Sequence, residues 1–425
     1  MRTSLRHTRL RGAVKRYRAA RRALHTPVSA QSRRGLDWMN FFLADVQTGF
    51  GTFVAFYLAE HGWSQDRVGI ALSVGAFAGV VSQVPGGALA DAVRWKRALT
   101  AVGIALIGLA ALLLAVTTSF VVVLAALLLQ GVTAGIVTPA IGAISLGLVG
   151  RRGMSVRTGR NYRFAAAGHV LTAAAMGLAG EYVPGGGIFI VAASLCIPAL
   201  AALWFIRADE IDYARARNAA TGERAGEVGR VLDLAKNRRL VLFTGVLVLF
   251  QLADASLLPL ISEALSTAKV THAVLWMSAL IALPQIVVAV FAPWVGFHSE
   301  RKGRRPFLLV GFGVEPIRAI LLALSAAMPV LFVVQLLNGV SGAVIGVLSV
   351  IVVADLTAGT GRFNLAQGAV GALSGLAAAV STLATGYLAK LLGVTAGYIA
   401  IAVCAFGAVA LLWVFLTETK PEKYD

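Results

Sequence analysis

The chain contains long apolar runs that repeat at a nearly constant spacing, and this duplication limits the folds it can adopt. Two short basic stretches, GGALADAVRWKR and GFHSERKGRR, interrupt the runs at equivalent places. Aligning them pairs Asp91 with Glu300, a separation of 209 residues (300 − 91). The same separation relates Asp45 to Asp254, and a separation of 208 aligns LLQGVTAG with LLNGVSGA. The chain is therefore two copies of one unit.

The composition indicates that lipid surrounds these runs. Hydrophobic residues make up 58% of the chain, charged residues 14%, and the mean hydropathy is +0.79. Such values lie outside the range of soluble globular domains. Both cysteines, Cys196 and Cys404, fall inside apolar runs, which excludes a disulfide framework and a cysteine metal site.

Twelve of the runs are long enough to cross a bilayer, whose hydrocarbon core of about 30 Å requires about 20 helical residues. Backbone groups in lipid must be paired within the protein, so we expect helices. The predicted helices are 38–59, 68–90, 98–116, 121–144, 164–183, 187–206, 240–261, 273–294, 307–328, 329–353, 365–388 and 394–416. The predicted fold is an all-α integral membrane protein with two pseudo-symmetric six-helix bundles.

The basic residues predict the orientation. The net charge is +18, and 34 of the 38 Lys and Arg residues lie in the termini and in alternate loops. By the positive-inside rule, both termini and the two motif loops are cytoplasmic, in a plasma (inner) membrane. This distribution argues against nucleic acid as the partner. The predicted division is a basic tail 1–36, bundles 37–206 and 240–417, a cytoplasmic linker 207–239 and a tail 418–425.

The first 36 residues carry 11 basic side chains and no acidic one. We interpret them as a cytoplasmic tail resting on anionic lipid headgroups, or as the product of a start codon placed upstream of the true one. An organellar transit peptide is a further interpretation, because such leaders are rich in arginine and poor in acids.

The two basic stretches resemble the loop signature of the major facilitator superfamily. The residues that carry the resemblance are Gly87, Asp91, Lys96, Arg97, Gly296, Glu300, Arg301, Gly303, Arg304 and Arg305. The first copy departs from the signature at Ala92 and Arg94, where a base and a glycine are usual. The resemblance implies a conformational switch, with Asp91 facing the start of the eleventh helix near Gly368 and Glu300 facing the fifth near Gly168.

Two acidic residues lie within predicted helices, where a charge costs about 2.5 to 3.5 kcal/mol and normally faces a cavity. Asp45 has Thr48 one turn away and Gln47 on a neighbouring face, and Asp254 follows Gln251 by three residues. One interpretation is a structural hydrogen bond between helices. The other rests on the resemblance, in which the first and seventh helices line the central cavity: the two acids are then substrate or proton sites.

The ninth run contains a second charged pair. Glu315 and Arg318 are three residues apart on one helical face, on either side of Pro316. The pair either braces a proline kink or takes part in gating or coupling.

The predicted function is a secondary active transporter that works by alternating access. Its substrate is expected to be a small organic solute, cationic or amphipathic because of the two acids, and the coupling ion a proton. The alternatives are an organic-anion or siderophore-type permease, a lipid flippase, or a non-transporting sensor. Leu127 stands where many proton-coupled members have an arginine, and the fifth run lacks the Gly-Pro pair of drug:proton antiporters. The stretch ADLTAGTGRFNLAQG resembles a bacterial permease branch of unassigned substrate.

Other classes of protein receive no support from the sequence. It contains no nucleotide-binding GxxxxGK[ST] motif, and its six histidines are scattered. We therefore expect neither an enzyme nor a cofactor or metal site. The expected partners are the bilayer, a small-molecule substrate and protons, and the expected state is a monomer.

Overall fold

A computed structural model of the chain describes residues 28–48, 54–55, 57–58, 60–182, 186–219, 231–261, 273–325 and 327–421. The side chains of residues 45–48 and 273–278 lie outside the described part. Within that part the regular secondary structure is helical, apart from isolated bridges between Ala219 and residues 359–360.

The N-terminal half contains six long helices. They are α1 (Ala30–Thr48), α2 (Gln65–Ala92), α3 (Lys96–Val116), α4 and α5 within the segment Phe120–Tyr182, and α6 (Gly187–Trp204). Gly150, with φ +64°, is the non-helical residue that separates α4 (120–149) from α5 (151–182). Glycine adopts this conformation at little cost because it has no Cβ, so the chain changes direction there without a loop.

The C-terminal half repeats the arrangement. Its helices are α7 (Arg238–Asp254), α8 (Ala273–Lys302), α9 (Arg305–Leu324), α10 (Met328–Leu356), α11 (Phe363–Leu392) and α12 (Val394–Phe415). Between the halves lie the 3-10 turn Ala208–Glu210 and the short helices Tyr213–Ala216 and Val231–Leu234.

The helices of both halves pack around buried apolar residues, and the outer surface is apolar as well. Ile107 and Phe189 are fully buried in the N-terminal half, as Phe243 is in the C-terminal half. Phe77 and Trp204, on the outside, are 72% and 81% exposed. An apolar exterior is stable only when lipid covers it. Ten described segments are long and apolar enough to cross a membrane, and one of them, Phe120–Met176, contains α4 and most of α5.

The observed helices differ from the predicted runs in two places. α1 begins at Ala30, eight residues before Trp38, so part of the predicted tail is helical; Gly35 packs on α6, and Leu36 is buried. The predicted loop 145–163 is helical except at Gly150. Polar residues of this segment contact other parts of the protein rather than lipid. The hydropathy of the segment is therefore low, and it did not predict the helix.

Candidate functional site

A cavity of about 620 Å³ lies between the two halves. Its walls come from α1, α2, α4, α5, α7, α10 and α11. Most of the lining is apolar, for example Leu43 and Leu247. The polar lining consists of His169, of hydroxyls, and of the amides Asn40, Gln83, Asn161, Gln251 and Gln367. The position of the cavity, shared by both copies of the repeat, is that of a ligand site in a duplicated helical protein.

The structure separates the two polar residues predicted on the seventh helix. Gln251 lies on the cavity wall, whereas Asp254 is absent from the described lining. On the first helix, Leu43 and Ala44 line the cavity. The side chains of Asp45, Gln47 and Thr48 lie outside the described part of the structure, so their predicted roles stay predictions.

A buried ion cluster joins α7 to α9. Arg318 Nη1 donates to Asp254 Oδ1 at 2.7 Å and to the Glu315 carboxylate at 2.6 and 2.7 Å. The side chains of Glu315 and Arg318 are 1% and 2% exposed, and that of Asp254 is 31% exposed. The guanidinium Nε of Arg318 is buried and has no hydrogen-bond partner among the described residues. Two carboxylates thus share one guanidinium nitrogen.

Asp254 lies at the end of the regular part of α7, not near the middle of a helix as predicted. The chain turns at residues 255–256 and resumes a helix at 257–261. Ser381 of α11 donates to the carbonyl oxygen of Leu252 at 2.7 Å and to Ser256 Oγ at 3.0 Å. Broken helices of this kind form ion and substrate sites in membrane transporters, since they free backbone groups inside the protein.

The end of the bundle that carries the two basic loops, which we call the motif end, is held together by Asp91. This residue of α2 is 8% exposed and accepts hydrogen bonds from Asn364 N (3.2 Å), Asn364 Nδ2 (2.7 Å) and Leu365 N (2.8 Å). Because α11 begins at Phe363, these N–H groups have no partner within the helix. A carboxylate of the N-terminal half therefore caps a helix of the C-terminal half.

Glu300, the repeat partner of Asp91, has different contacts. It accepts from Ser155 Oγ at 2.5 Å and pairs with Arg304 Nη2 at 2.9 Å. Arg304 is 1% exposed and also reaches Asp355 Oδ2 through Nε at 3.3 Å. The expected position near Gly168 is wrong: that glycine packs on the backbone of Phe41, and Glu300 lies thirteen residues earlier on α5 (168 − 155).

Glycines let the two halves approach closely at the motif end. A Cβ on Gly87 of α2 would collide with the carbonyl oxygen of Asn364, and one on Gly296 of α8 would collide with that of Ser155. The two crossings, α2 with α11 and α8 with α5, therefore bring helix backbones into contact.

The segment between the halves braces the same end. Tyr213 donates its hydroxyl to the carbonyl oxygens of Asp91 (3.1 Å) and Ala92 (3.0 Å). Asn364 Nδ2 donates to Ala216 O at 2.9 Å, and Phe363 N donates to Arg217 O at 3.2 Å. The segment thus contacts the end of α2 and the start of α11 together. Residues 220–230 of the predicted linker lie outside the described part of the structure.

The remaining motif residues shape the two loops. Arg97 donates to Trp204 O, and the Arg301 guanidinium lies 4.2 Å from the Phe297 ring. Gly303 has φ +95° and lies against Glu418. Although partial burial opposes ionisation, backbone N–H groups donate to Glu418 and hold the pKa of its carboxyl below the usual value; they belong to Arg304, Lys420, Arg305 and Thr419.

This two-fold architecture agrees with the comparison to known proteins. The sequence profile of the Major Facilitator Superfamily matches residues 37–314 and 243–425. The chain belongs to the major facilitator superfamily. It is a multi-pass membrane protein and a member of a transporter family, as the duplicated loops predicted.

The relatives of this superfamily member differ in how much of it they cover. It is 35% identical over 389 residues to the uncharacterized MFS-type transporter Rv2456c of Mycobacterium tuberculosis, which covers 91% of this chain and 93% of the relative. The class B tetracycline resistance protein of Escherichia coli is 40% identical over 83 residues, 20% of each chain. The first of these matches covers most of both chains, and the second covers one fifth of each.

Solved structures support the same fold. The proton:xylose symporter XylE, bound to 6-bromo-6-deoxy-D-glucose, superposes with a TM-score of 0.69 at 15% identity, covering 92% of this chain and 96% of that one. The human organic anion transporter MFSD10 (TETRAN) superposes with a TM-score of 0.67 at 16% identity, covering 90% and 100%. At these identities the likeness shows the superfamily fold alone.

One charged cluster of this superfamily member was missed from sequence. Asp37 of α1 is 1% exposed and binds two bases of α5, Arg157 at 2.5 Å and Arg160 at 2.6 Å. Arg157 and Arg160 were assigned to a loop, where a spacing of three residues does not indicate that two side chains share a face. Had that segment been interpreted as a helix, the spacing would have placed both bases on one face toward a buried acid.

Proposed function

We propose that the protein is a secondary active transporter that moves a small organic solute through the cavity by alternating access, coupled to protons. Membership of the superfamily supports a transporter, and the cavity shared by two pseudo-symmetric halves supports a site that alternates between the two sides. Proton coupling and the kind of substrate go beyond what membership of the superfamily supports, and each needs its own argument.

The observation that carries proton coupling is the Asp254–Glu315–Arg318 cluster. With both acids ionised it has a net charge of −1 within membrane-spanning helices, and a buried excess charge is costly. One proton makes the cluster neutral. Because the three groups share one hydrogen-bonded unit, the proton belongs to the cluster rather than to one residue. Asp254, which is 31% exposed, gives that proton a route to the cluster interior.

Alternating access requires a conformation in which the motif end opens. In the structure this end is closed by the Asp91 cap on α11 and by the two glycine crossings. Contacts of a carboxylate with a helix N-terminus are worth about 0.3 to 2 kcal/mol. That range is large enough to bias a two-state equilibrium and small enough for the transport cycle to reverse.

The alternative substrates receive less support. An organic-anion or siderophore-type substrate needs an available cation, and the guanidinium of Arg318, a base buried within the membrane-spanning helices, is already shared by two acids. The cation reading rested on Asp45 and Asp254 together, and Asp254 is absent from the described cavity wall. A flippase needs a polar opening toward lipid, and a sensor needs an output domain; neither has a supporting feature in the described residues.

Proton binding by the cluster is testable without a known substrate. Infrared difference spectra of the reconstituted protein, recorded during a pH titration, should contain the carbonyl band of a buried carboxylic acid that deprotonates as pH rises. We expect Glu315→Gln and Asp254→Asn to remove or shift this band. Asp209→Asn, which alters a carboxylate in the exposed connecting segment, should leave it unchanged. An identical band in all three variants would show that the cluster does not bind the proton.

Transport is then tested in vesicles that contain a trapped pH indicator. A bound compound should change the internal pH when it is added to vesicles with the wild-type protein, and should fail to do so with Glu315→Gln. If compounds cross the membrane at equal rates with and without a pH gradient, the protein is a facilitator and proton coupling is wrong.

A further inference from the structure

The cavity wall carries polar groups that the protein leaves without partners. Gln83, Gln251 and Gln367 lie on the wall, and their side chains make no hydrogen bond to any described residue. Thr158 is 3% exposed, and its hydroxyl is likewise unpartnered within the described part. The three glutamines are half-buried and face the cavity, whereas the buried Thr158 hydroxyl is unsatisfied, which costs about 1 to 3 kcal/mol. These four groups are available to a molecule that occupies the cavity.

The charged groups near the cavity are, in contrast, engaged with one another. Asp37 binds two arginines, Asp91 caps α11, and Asp254 shares Arg318. Among the described residues of the cavity wall there is no Asp, Glu, Lys or Arg. A charged ligand moved from water into such a site would lose its hydration without gaining a counter-charge from these described residues, which is strongly unfavourable.

The remaining chemistry of the wall suits a neutral ligand. A glutamine amide offers two N–H donors and one carbonyl acceptor, and a threonine hydroxyl both donates and accepts. These groups match hydroxyls and amides on a ligand. The apolar wall between them, which includes Leu43 and Leu247, matches a hydrophobic portion. A cavity of about 620 Å³ has the usual size of a site for a small organic molecule.

We propose that the substrate is a neutral amphipathic molecule with several hydroxyl or amide groups. Gln83 and Thr158 of the N-terminal half and Gln251 and Gln367 of the C-terminal half bind it from opposite sides. The inference rests on the proposed transport function and deepens it. Of the two classes expected from sequence, cationic or amphipathic, it keeps the amphipathic one, because one of the two acids behind the cationic one is paired with Arg318.

Three matched compound sets test the class of ligand. Each shares an aromatic ring and differs in its polar group: aryl glycosides are neutral, aryl trimethylammonium salts are cationic and aryl sulfates are anionic. A ligand that binds the folded protein raises its apparent thermal stability, so unfolding is measured in detergent at one pH with no gradient. We expect aryl glycosides to stabilise the protein and the two charged sets to have no effect.

Variants then locate the site. Gln251→Met and Gln367→Met should each weaken glycoside binding about fivefold to tenfold, the effect of losing one or two neutral hydrogen bonds. Gln130→Met is the matched control, since Gln130 is partly exposed on α4 and absent from the cavity wall. Thr158→Val should weaken binding while leaving the stability of the unliganded protein equal or higher, because it removes an unsatisfied hydroxyl.

Stabilisation by the ammonium set, lost in Asp45→Asn, would show a cationic ligand and overturn the inference. Stabilisation by sulfates alone, or by none of the sets, would overturn it as well. These binding experiments can fail independently of the proposed transport function. Glycoside binding without a cluster proton contradicts proton coupling only, whereas cation binding with normal coupling contradicts only the neutral substrate.

Discussion

The two halves of the molecule agree at the crossings that join them and differ in the charges they contain. Gly87 meets Asn364 and Gly296 meets Ser155; both the glycines and their partners are 209 residues apart (296 − 87 and 364 − 155). Gly368 against Gln83 and Gly159 against Ala292 follow the same spacing. The duplication has therefore kept the inter-half contacts in register, as expected if both crossings take part in one motion.

Two members of the ion cluster, Glu315 and Arg318, have apolar counterparts in the N-terminal half, whereas the repeat partner of Asp254 is Asp45, whose side chain lies outside the described residues. Gly103 and Gly311 are equivalent in the two halves, because each lies against a valine of the following helix. They are 208 residues apart. Applied to the ion cluster, this separation aligns Glu315 with Ile107 and Arg318 with Ala110. Ile107 and Ala110 are fully buried. The same helix position is thus apolar core in one half and charged in the other. The comparison teaches that this position of the fold accepts apolar side chains as well as charged ones.

The motif acids differ for a local reason. Asp91 meets the first residues of α11, whose N–H groups are free. Ser155, the equivalent site for Glu300, lies four residues inside α5 (155 − 151), where the helix itself uses the backbone N–H groups. Glu300 therefore accepts from the Ser155 hydroxyl and from Arg304. One repeat position has become a helix cap, the other part of an ion network.

The largest expected effect tests whether the charges of the C-terminal half are dispensable for folding. Arg318→Met should destabilise the protein by about 3 to 5 kcal/mol, since it leaves two carboxylates without their base. Glu315→Leu/Arg318→Met, which imitates the apolar N-terminal half, should restore stability to within about 1 kcal/mol of wild type. Equilibrium unfolding in mixed micelles measures both. A double variant as unstable as the single one would show that the cluster is structural.

An intermediate effect tests whether the two crossings are equivalent. Gly87→Ala and Gly296→Ala should each favour the open motif end by about 1 to 3 kcal/mol, because the added methyl group collides with backbone. Labelling of a cysteine at Ser349, in a variant without Cys196 and Cys404, should rise about 5- to 150-fold from the motif side. Gly245→Ala and Gly407→Ala, where a Cβ meets nothing within 4 Å, are the controls. A response at one crossing alone would break the symmetry.

The smallest effect separates the two motif acids. Asp91→Asn should open the motif end by about 1 to 2 kcal/mol, because it removes a partly buried charge from a helix N-terminus. Glu300→Gln should cost less than about 1 kcal/mol, since Arg304 keeps its contact with Asp355. The same labelling assay compares them at constant pH. Equal effects would mean that Glu300 also acts on the α5 dipole, contrary to its observed contacts.

The parts of the site that could be predicted were those that depend on residues close together in sequence or on the repeat. The Asp91 loop and the adjacency of Glu315 and Arg318 follow from spacing along the chain, and the contact of Asp91 with α11 was implied by the resemblance to the superfamily. The partnership of Asp254 with Arg318 did not follow, because 64 residues separate them and only helix packing brings α7 to α9. For the same reason, Gln251 and Asp254 were expected to act together. In the structure Gln251 lies on the cavity wall, whereas Asp254 pairs with Arg318.

The sequence by itself determined the membrane class, the two-fold repeat and the superfamily, since hydropathy, charge asymmetry and a constant spacing are properties of the chain. Only the tertiary structure decided which polar groups are satisfied. Charges that are costly in lipid must find partners across helices, and those pairings depend on how the helices pack. Pairing in this structure holds Arg318 and Asp254 together and leaves glutamines and a threonine hydroxyl on the cavity wall, and the proposal of a neutral amphipathic substrate rests on these contacts.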